Sequence, residues 1–277
     1  MPAAVKTNAF LLSEATLMMA PFGSASVFEL TPSAHSVGMV RNVQLSQESD
    51  QVELRKGIQQ LLVDSKKSNV RTMLTAEVFE FSAQNMFYSL SMNKTAAAPK
   101  RGKLKTAVSG ATATIVVNTD PMPGDSTSGI SSATDIPSGA TILLQVPGES
   151  NDYTLPVRVT AATTMTGGDF TVTAAIPAGM NFPVGTRVWV VNEVPLGSTA
   201  DQDFFCVKIS STLSNNERPV NLVLPKVKIS KGFQINFDEA NYGSMPFEFM
   251  PYFLTASEVS GRLTEIGTSQ MGTTYVG

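Results

Sequence analysis

The 277-residue chain contains one cysteine, one histidine and one tryptophan. A single cysteine excludes an internal disulfide framework and any cysteine-based zinc cluster. Cys206 lies in the apolar run DFFCVKIS, a setting that predicts a buried, inert thiol. His35 sits in SAHSVG with no nucleophile or orienting partner beside it, so it reads as a loop residue and not as a base. Charge is also scarce: 16% of residues are charged and the net charge is −3, whereas a dedicated nucleic-acid binder normally presents a basic face. No apolar run approaches the roughly 18 residues needed to cross a bilayer. Phe10-Leu11-Leu12 and Leu17-Met18-Met19 are split by Ser13-Glu14 and form no secretory apolar region. The expectation is folding in a reducing cytoplasm, with the final destination left open. G-x-S-x-G, H-E-x-x-H, P-loop and strand–helix GxGxxG patterns are missing too. Neighbouring carboxylates such as Asp238-Glu239 would fall on opposite faces of a strand. No catalytic, cofactor-binding or metal-binding residue is assigned, and no cofactor is expected.

What the chain does have is Val, Ile, Phe and Thr, interspersed with 20 Gly and 16 Pro, a composition that favours strands and turns. The richest stretch is Val37–Met92. Val43, Leu45, Val52 and Leu54 alternate with Gln44, Ser46, Gln51 and Glu53, which predicts a half-buried polar hairpin over Val43–Gln60 with a long second arm interrupted only by Gly57. A strand at Arg71–Phe81 then ends at Ser82, a helix N-cap. Ala83, Met86, Phe87 and Leu90 follow as one apolar stripe, and Phe81 and Met86 occupy the positions of a hydrophobic staple.

Composition changes near Thr106. Before it, NKTAAAPKRGKLK carries Lys94, Lys100, Arg101, Lys103 and Lys105 in what reads as a small-residue linker. After it, up to about Leu196, only Arg158 and Arg187 stand against seven carboxylates, and lysine is absent. This predicts an inserted module over residues 106–197. Strand candidates are Thr112–Val117, Thr141–Val146, Leu155–Thr163, Phe170–Ile176 and Arg187–Val194, forming a small all-β sandwich or barrel. Thr166-Gly167-Gly168-Asp169 is the clearest hairpin turn. Ile136-Pro137-Ser138-Gly139 and Ile176-Pro177-Ala178-Gly179 echo each other, as a duplicated hairpin or as two independent entries into strands. The first pattern returns in Phe204–Ser211, the polar turn Ser214–Arg218, Val220–Leu224 and Val227–Ile229 around Pro225, Phe233–Phe237 and Phe247–Leu254. Residues 1–105 and 198–260 are thus expected to form one discontinuous β-sandwich or partly rolled barrel with a short flanking helix. Residues 261–277, poor in apolar side chains, are expected to be an extended arm or disordered.

The order of elements supports a family comparison. VGMVRNVQLSQESDQVELRKG followed by VRTMLTAEVFEFSAQNMFYSL, and later PKVKISKGFQINFDEANYGSMPFEFMPYF, resembles the tail tube (major tail) proteins of tailed bacteriophages. The likeness spans roughly Val5–Lys105 and Ala200–Thr255 and rests on pattern and element order. It implies hexameric rings stacked into a hollow tube in the virion tail, through which double-stranded DNA passes transiently. Implied partners are further copies of the chain, tape measure, tail terminator and baseplate or tip proteins, with no membrane; whether a sheath surrounds the tube is left open. By the same resemblance Gln44, Ser46, Glu48, Gln51 and Glu53 would line the lumen, where polar, acidic or neutral side chains suit a sliding duplex. Arg55 and Lys56, with Lys94, Lys100, Arg101, Lys103 and Lys105, would contact neighbouring subunits.

Alternatives stand beside this reading. The five polar residues also suit the solvent face of an ordinary hairpin, and the basic stretch a solvated linker. A capsid decoration or baseplate protein could share a β-rich fold. A carbohydrate-binding or adhesin module would need a sugar platform, and the sole Trp189, inside VWVVNEV, reads as strand packing instead.

Overall fold

The computed structural model describes residues 15–56, 61–110, 114–147, 154–197, 201–212, 218–231, 234 and 243–276. The chain is mainly β, with antiparallel sheets, and divides into two compact units. The first takes the described residues up to Thr95 and from Leu196 onward; the second is Ala96–Pro195.

The first unit begins with β1 (Thr16–Pro21), a short α1 (Pro32–His35), β2 (Val40–Lys56), β3 (Leu61–Val78) and α2 (Ala83–Ser89). In β1, Leu17 and Met19 face one apolar cluster while Met18 and Ala20 face another, so this strand is covered on both sides. α2 is capped as its sequence predicts: Ser82 Oγ accepts from the Asn85 amide at 3.1 Å. Its burial differs from the expected stripe, because Asn85, Phe87, Tyr88 and Ser89 are buried while Met86 and Leu90 are only half-buried. Asn85 Nδ2 donates to the carbonyls of Val37 and Glu80, which accounts for a polar side chain on the inner face. Phe81 is exposed, so it does not serve as the expected staple.

The second unit holds β4 (Lys100–Leu104), β5 (Val108–Ser109), β6 (Thr114–Thr119), β7 (Thr141–Gln145), β8 (Thr154–Arg158), β9 (Thr164–Thr166), β10 (Asp169–Thr173), β11 (Asn181–Phe182) and β12 (Arg187–Val191). The sheet order is β8-β7-β12-β4-β6-β10-β9, with β11 and β5 paired separately. The bridge Val159↔Ala174 joins the continuations of β8 and β10 and curls the sheet around one cluster containing Leu104, Val117, Leu144, Phe170 and Val188. Each of the five expected strands is present. The expected seam moves, however: Lys100–Leu104, read as linker, is a central strand flanked by β12 and β6. Gly167 and Gly168, with φ of 61° and 86°, make the two-residue turn between β9 and β10. The two Ile-Pro-x-Gly segments build the same turn, with Ile136 and Ile176 buried, but lead into different elements, β7 and β11. They are independent entries.

The chain then returns to the first sheet with β13 (Phe205–Thr212), β14 (Pro219–Lys231), β15 (Met245–Pro251) and β16 (Thr273–Val276). Its order is β1-β13-β14-β15-β3-β2, with β16 also on β14. Pro225 does not break the strand; β14 runs through it with an irregular register against β13. The bridge Met18↔Ser36 and the bond from the Val37 amide to the Leu17 carbonyl join β1 to the segment entering β2. The sheet is therefore rolled around the cluster of Leu17, Val207, Leu224, Phe247, Phe249 and Leu74. At the other end it stays open, as a groove of about 550 Å³ lined by Ala15, Val43, Leu45, Ile209, Val220 and Leu222 among others.

The C-terminal segment is ordered, contrary to the expectation of a free arm. A 3-10 turn at Gly261–Glu265 precedes the buried Ile266, and β16 pairs with Val220–Val223. A Cβ on Gly272 would lie 2.5 Å from the Val223 carbonyl oxygen, so only glycine admits this approach. The strand expected at Phe233–Phe237, apart from Gln234, and the turn at Ser214–Arg218, apart from Arg218, lie outside the described residues.

Candidate assembly interface

The hairpin is a single long ribbon. β2 has 17 residues and β3 has 18, and they pair from Val40↔Val78 to Lys56↔Leu61. The hairpin expected over Val43–Gln60 does not close within that span: Gln47–Asp50 is continuous strand, and the connection between β2 and β3 falls at residues 57–60, outside the described residues. Gln47–Asp50 has Ser and Asp but no Gly or Asn to take up the positive φ of a tight two-residue hairpin turn.

β15 pairs with β3 only over Leu74–Val78. Beyond that point β3 pairs with β2 alone among the described residues, and β2 is the last strand of the sheet. Ser46–Lys56 and its partner arm form a two-stranded projection about 35 Å long at the usual rise per residue. Every residue from Gln44 to Lys56 is exposed. Val52 and Leu54 are 62% and 61% exposed. A two-stranded ribbon in water is marginal on its own, and one with two free edges invites pairing.

Side chains alternate along β2, and its register shifts resolve which ones share a face. Asn42 and Asn69, with φ of 52° and 33°, sit at two of the three shifts, as fits a residue that tolerates the left-handed region. Between Val43 and Lys56 the parity of β2 is unbroken. One face carries Gln44, Ser46, Glu48, Asp50, Val52, Leu54 and Lys56, with Met73, Arg71, Ser68, Lys66 and Asp64 opposite. The other carries Val43, Leu45, Gln47, Ser49, Gln51, Glu53 and Arg55, with Leu74, Thr72, Val70, Lys67 and Ser65 opposite. The five residues expected on one wall thus divide three and two: Gln44, Ser46 and Glu48 on one face, Gln51 and Glu53 on the other. The face of Glu48 also carries Lys66 and Arg71, so it is not built from acidic and uncharged side chains alone, contrary to the expectation. Alternation along β2 reveals only the residues of that arm, and these bases lie on β3.

The basic residues have local partners. Arg55 donates to Glu53 on its own strand at 2.5 Å, and Lys56 is exposed at the far end of the described part of β2. Lys94 lies 4.9 Å from the centre of the Phe87 ring. Lys100 Nζ donates to the Thr127 carbonyl at 2.6 Å. Arg101 donates to the carbonyls of Asp120 and Pro121, pairs with the Asp120 carboxylate, and covers Trp189. Lys105 pairs with Asp169, and Lys103 is exposed on β4. Lys100, Arg101 and Lys105 therefore bind within the second unit, where they tie β4 and its neighbours together.

The reactive side chains singled out in the sequence have structural partners. His35 Nδ1 accepts from the Thr31 amide at 3.2 Å, closing its own helical turn. Cys206 is buried, and burial pushes its thiol up to about 11. Trp189 Nε1 donates to Gln145 Oε1 across the sheet. Among the described residues no group of three or more His, Cys, Asp or Glu is placed to hold a metal ion, and no helix is long and apolar enough to cross a membrane. One partly buried ion pair stands apart. Lys226, at the irregularity of β14, reaches both oxygens of Glu258 at 2.6 and 2.9 Å and lies over Phe204 at 4.4 Å. Partial burial pushes the Glu258 carboxyl up, but Lys226 and the Thr255 amide and hydroxyl outweigh that and hold it below the usual glutamate range. This pair clamps the C-terminal segment to the sheet.

Compared with known proteins, the chain matches no protein-family model and no curated sequence.

Proposed function

We propose that the protein is a structural, non-enzymatic subunit that self-assembles into stacked rings forming a hollow tube, as in a phage tail. The observation carrying this reading is the ribbon: β2 is exposed throughout Gln44–Lys56, and among the described residues both strands are open on their outer edges over roughly 35 Å, projecting past the last strand that supports them. A monomer gains nothing from holding such an element out in water. Side-by-side pairing with neighbouring copies satisfies the edges, and closure of a ring removes them. Six subunits per ring and passage of DNA come from the resemblance to tail tube proteins.

The rolled sheet supports an orientation for the wall. Leu74 and Val43 continue the apolar interior of the first unit, so the face of Gln51 and Glu53 turns toward the subunit body. The opposite face, with Gln44, Ser46 and Glu48, is the one we assign to the lumen. Its three acids and three bases, Glu48, Asp50, Asp64, Lys56, Lys66 and Arg71, leave it without net charge, which limits a salt-dependent hold on a duplex. The test is negative-stain microscopy and light scattering of the purified protein over a range of concentration and salt. Rings or hollow tubes are the expected result. A species that stays monomeric under all these conditions refutes the reading.

A further inference from the structure

Along its middle stretch, the two edges of the ribbon carry opposite charge. On β2, the stretch Glu48–Glu53 has three acids, Glu48, Asp50 and Glu53, and no base; on β3, Lys66–Arg71 has three bases, Lys66, Lys67 and Arg71, and no acid. These two stretches lie directly alongside each other, with Glu48 opposite Arg71, and all six side chains are exposed. The ribbon is therefore an acidic edge joined to a basic edge.

We propose that these edges recognise each other between copies, so that β2 of one subunit pairs with β3 of the next. This rests on the assembly reading above and adds which edge meets which. A second copy could add to the ribbon in three ways. Pairing β2 with β2 would set acid against acid, and β3 with β3 base against base. Both are the two-fold arrangements that end in a closed dimer. Only β2 against β3 sets acid against base, and that contact is head-to-tail, the kind that builds rings. Like charges across a strand pair oppose it and unlike charges favour it, so the pattern acts for the ring and against the dimer.

Period-two alternation narrows the register, because a shift by one residue would bring opposite faces together. In the register that repeats the internal pairing, Arg71 meets Glu48 of the neighbour, so each lies between two opposite charges around the ring. Shifted by two residues, Arg71 meets Asp50 of the neighbour. Lys66, Arg71, Glu48 and Asp50 all belong to one face, so either register keeps the charges in one belt. Glu53 is already engaged by Arg55 and contributes least.

The test uses the full chain with two reversed variants, E48K/D50K and K66E/R71E. Each alone has two like-charged edges, and its concentration for half-assembly should rise about 10- to 30-fold, at roughly fivefold per exposed pair. Mixed one to one they should co-assemble near the parental concentration, because the reversed β2 edge of one then meets the reversed β3 edge of the other. The repulsion created inside each ribbon is unchanged by mixing, so recovery reports the contact between copies. Circular dichroism confirms that each variant is folded. If either reversal prevents folding, E48Q/D50N replaces it, and its assembly should respond less than the parent's to raising salt from about 0.05 to 0.5 M. If the parent assembles and the folded variants do so equally well, or fail to rescue each other, the edge pairing is overturned while self-assembly stands. The same holds if the amide variant keeps the parent's salt response. A parent that never assembles overturns both.

Discussion

Replacing Phe87 by alanine tests whether α2 belongs to the core of the first unit. Phe87 has no exposed surface, and truncating a fully buried Phe costs about 3–5 kcal/mol. The Lys94 ammonium above the ring adds about 0.5–1 kcal/mol where it is exposed. For a unit of this size, 1 kcal/mol moves the melting temperature by roughly 2–4 °C, so a fall of about 7–24 °C is expected. The apolar clusters of the two units share no residue, and the sole tryptophan, Trp189, lies in the second. Far-ultraviolet circular dichroism follows both units, while tryptophan fluorescence follows only one. The F87A variant should therefore shift the dichroism transition and leave the fluorescence transition in place. A variant as stable as its parent refutes the packing argument. Equal shifts in both signals refute the independence of the units.

Ser82→Ala should cost about 1 kcal/mol in urea unfolding through loss of the cap to the Asn85 amide; no change would mean that the cap adds nothing. Deleting Ala96–Pro195 and bridging Thr95 to Leu196 with a short Gly/Ser linker should leave a soluble, cooperatively folding unit. The Asn93 amide donates to the Asp203 carboxylate at 2.7 Å, so the chain leaves and re-enters the first unit side by side. Because the Glu258 carboxyl is held below its ordinary value, its contribution is fully present above the unfolded-state pKa and is lost as pH falls through the folded-state pKa. E258Q should thus be about 1–3 kcal/mol less stable near neutrality, and the gap should close on acidification below about pH 4. Parallel stability curves for E258Q and its parent would exclude that linkage.

Much of this architecture is legible in the residues, and the misses have specific causes. Ser82 and the apolar positions after it announce α2, but Asn85 reads as a surface residue until its two carbonyl partners are known. Strands of the second unit stand out where β-branched residues alternate between turns. β4 does not, because KRGKL offers one large apolar side chain, Leu104, and its Gly102 is buried where a Cβ would meet the Asn118 carbonyl oxygen at 2.6 Å. Lysine and arginine spacing there looks like a linker and is instead the outward face of a central strand. The C-terminal segment was hidden for a similar reason. Ile266 is its only fully buried apolar side chain, and β16 holds on through backbone pairing, which leaves no hydrophobic trace.

The ribbon shows why a sequence can announce an interface and still conceal its geometry. Alternation reports that a segment is extended and which of its neighbours share a face; it does not report where the chain turns back. A short hairpin closed within Val43–Gln60 and the long ribbon of β2 and β3 bring different residues face to face. Under the short hairpin, Glu48 would sit at a tip beside Asp50, and Lys66, Lys67 and Arg71 would belong to another strand. Under the long one, Glu48 meets Arg71 and the three bases become the opposite edge of the same element. The pairing also sets limits on function. A wall of acids repels DNA but repels its own neighbours as well, so it gives a ring no electrostatic reason to close. A ribbon with one acidic and one basic edge can do both tasks, since joining the edges cancels their charge in the wall that the joining builds. On the proposed reading, Glu48, Asp50, Lys66 and Arg71 belong both to the lumen face and to the ring contact, so a substitution at any of these four should disturb both.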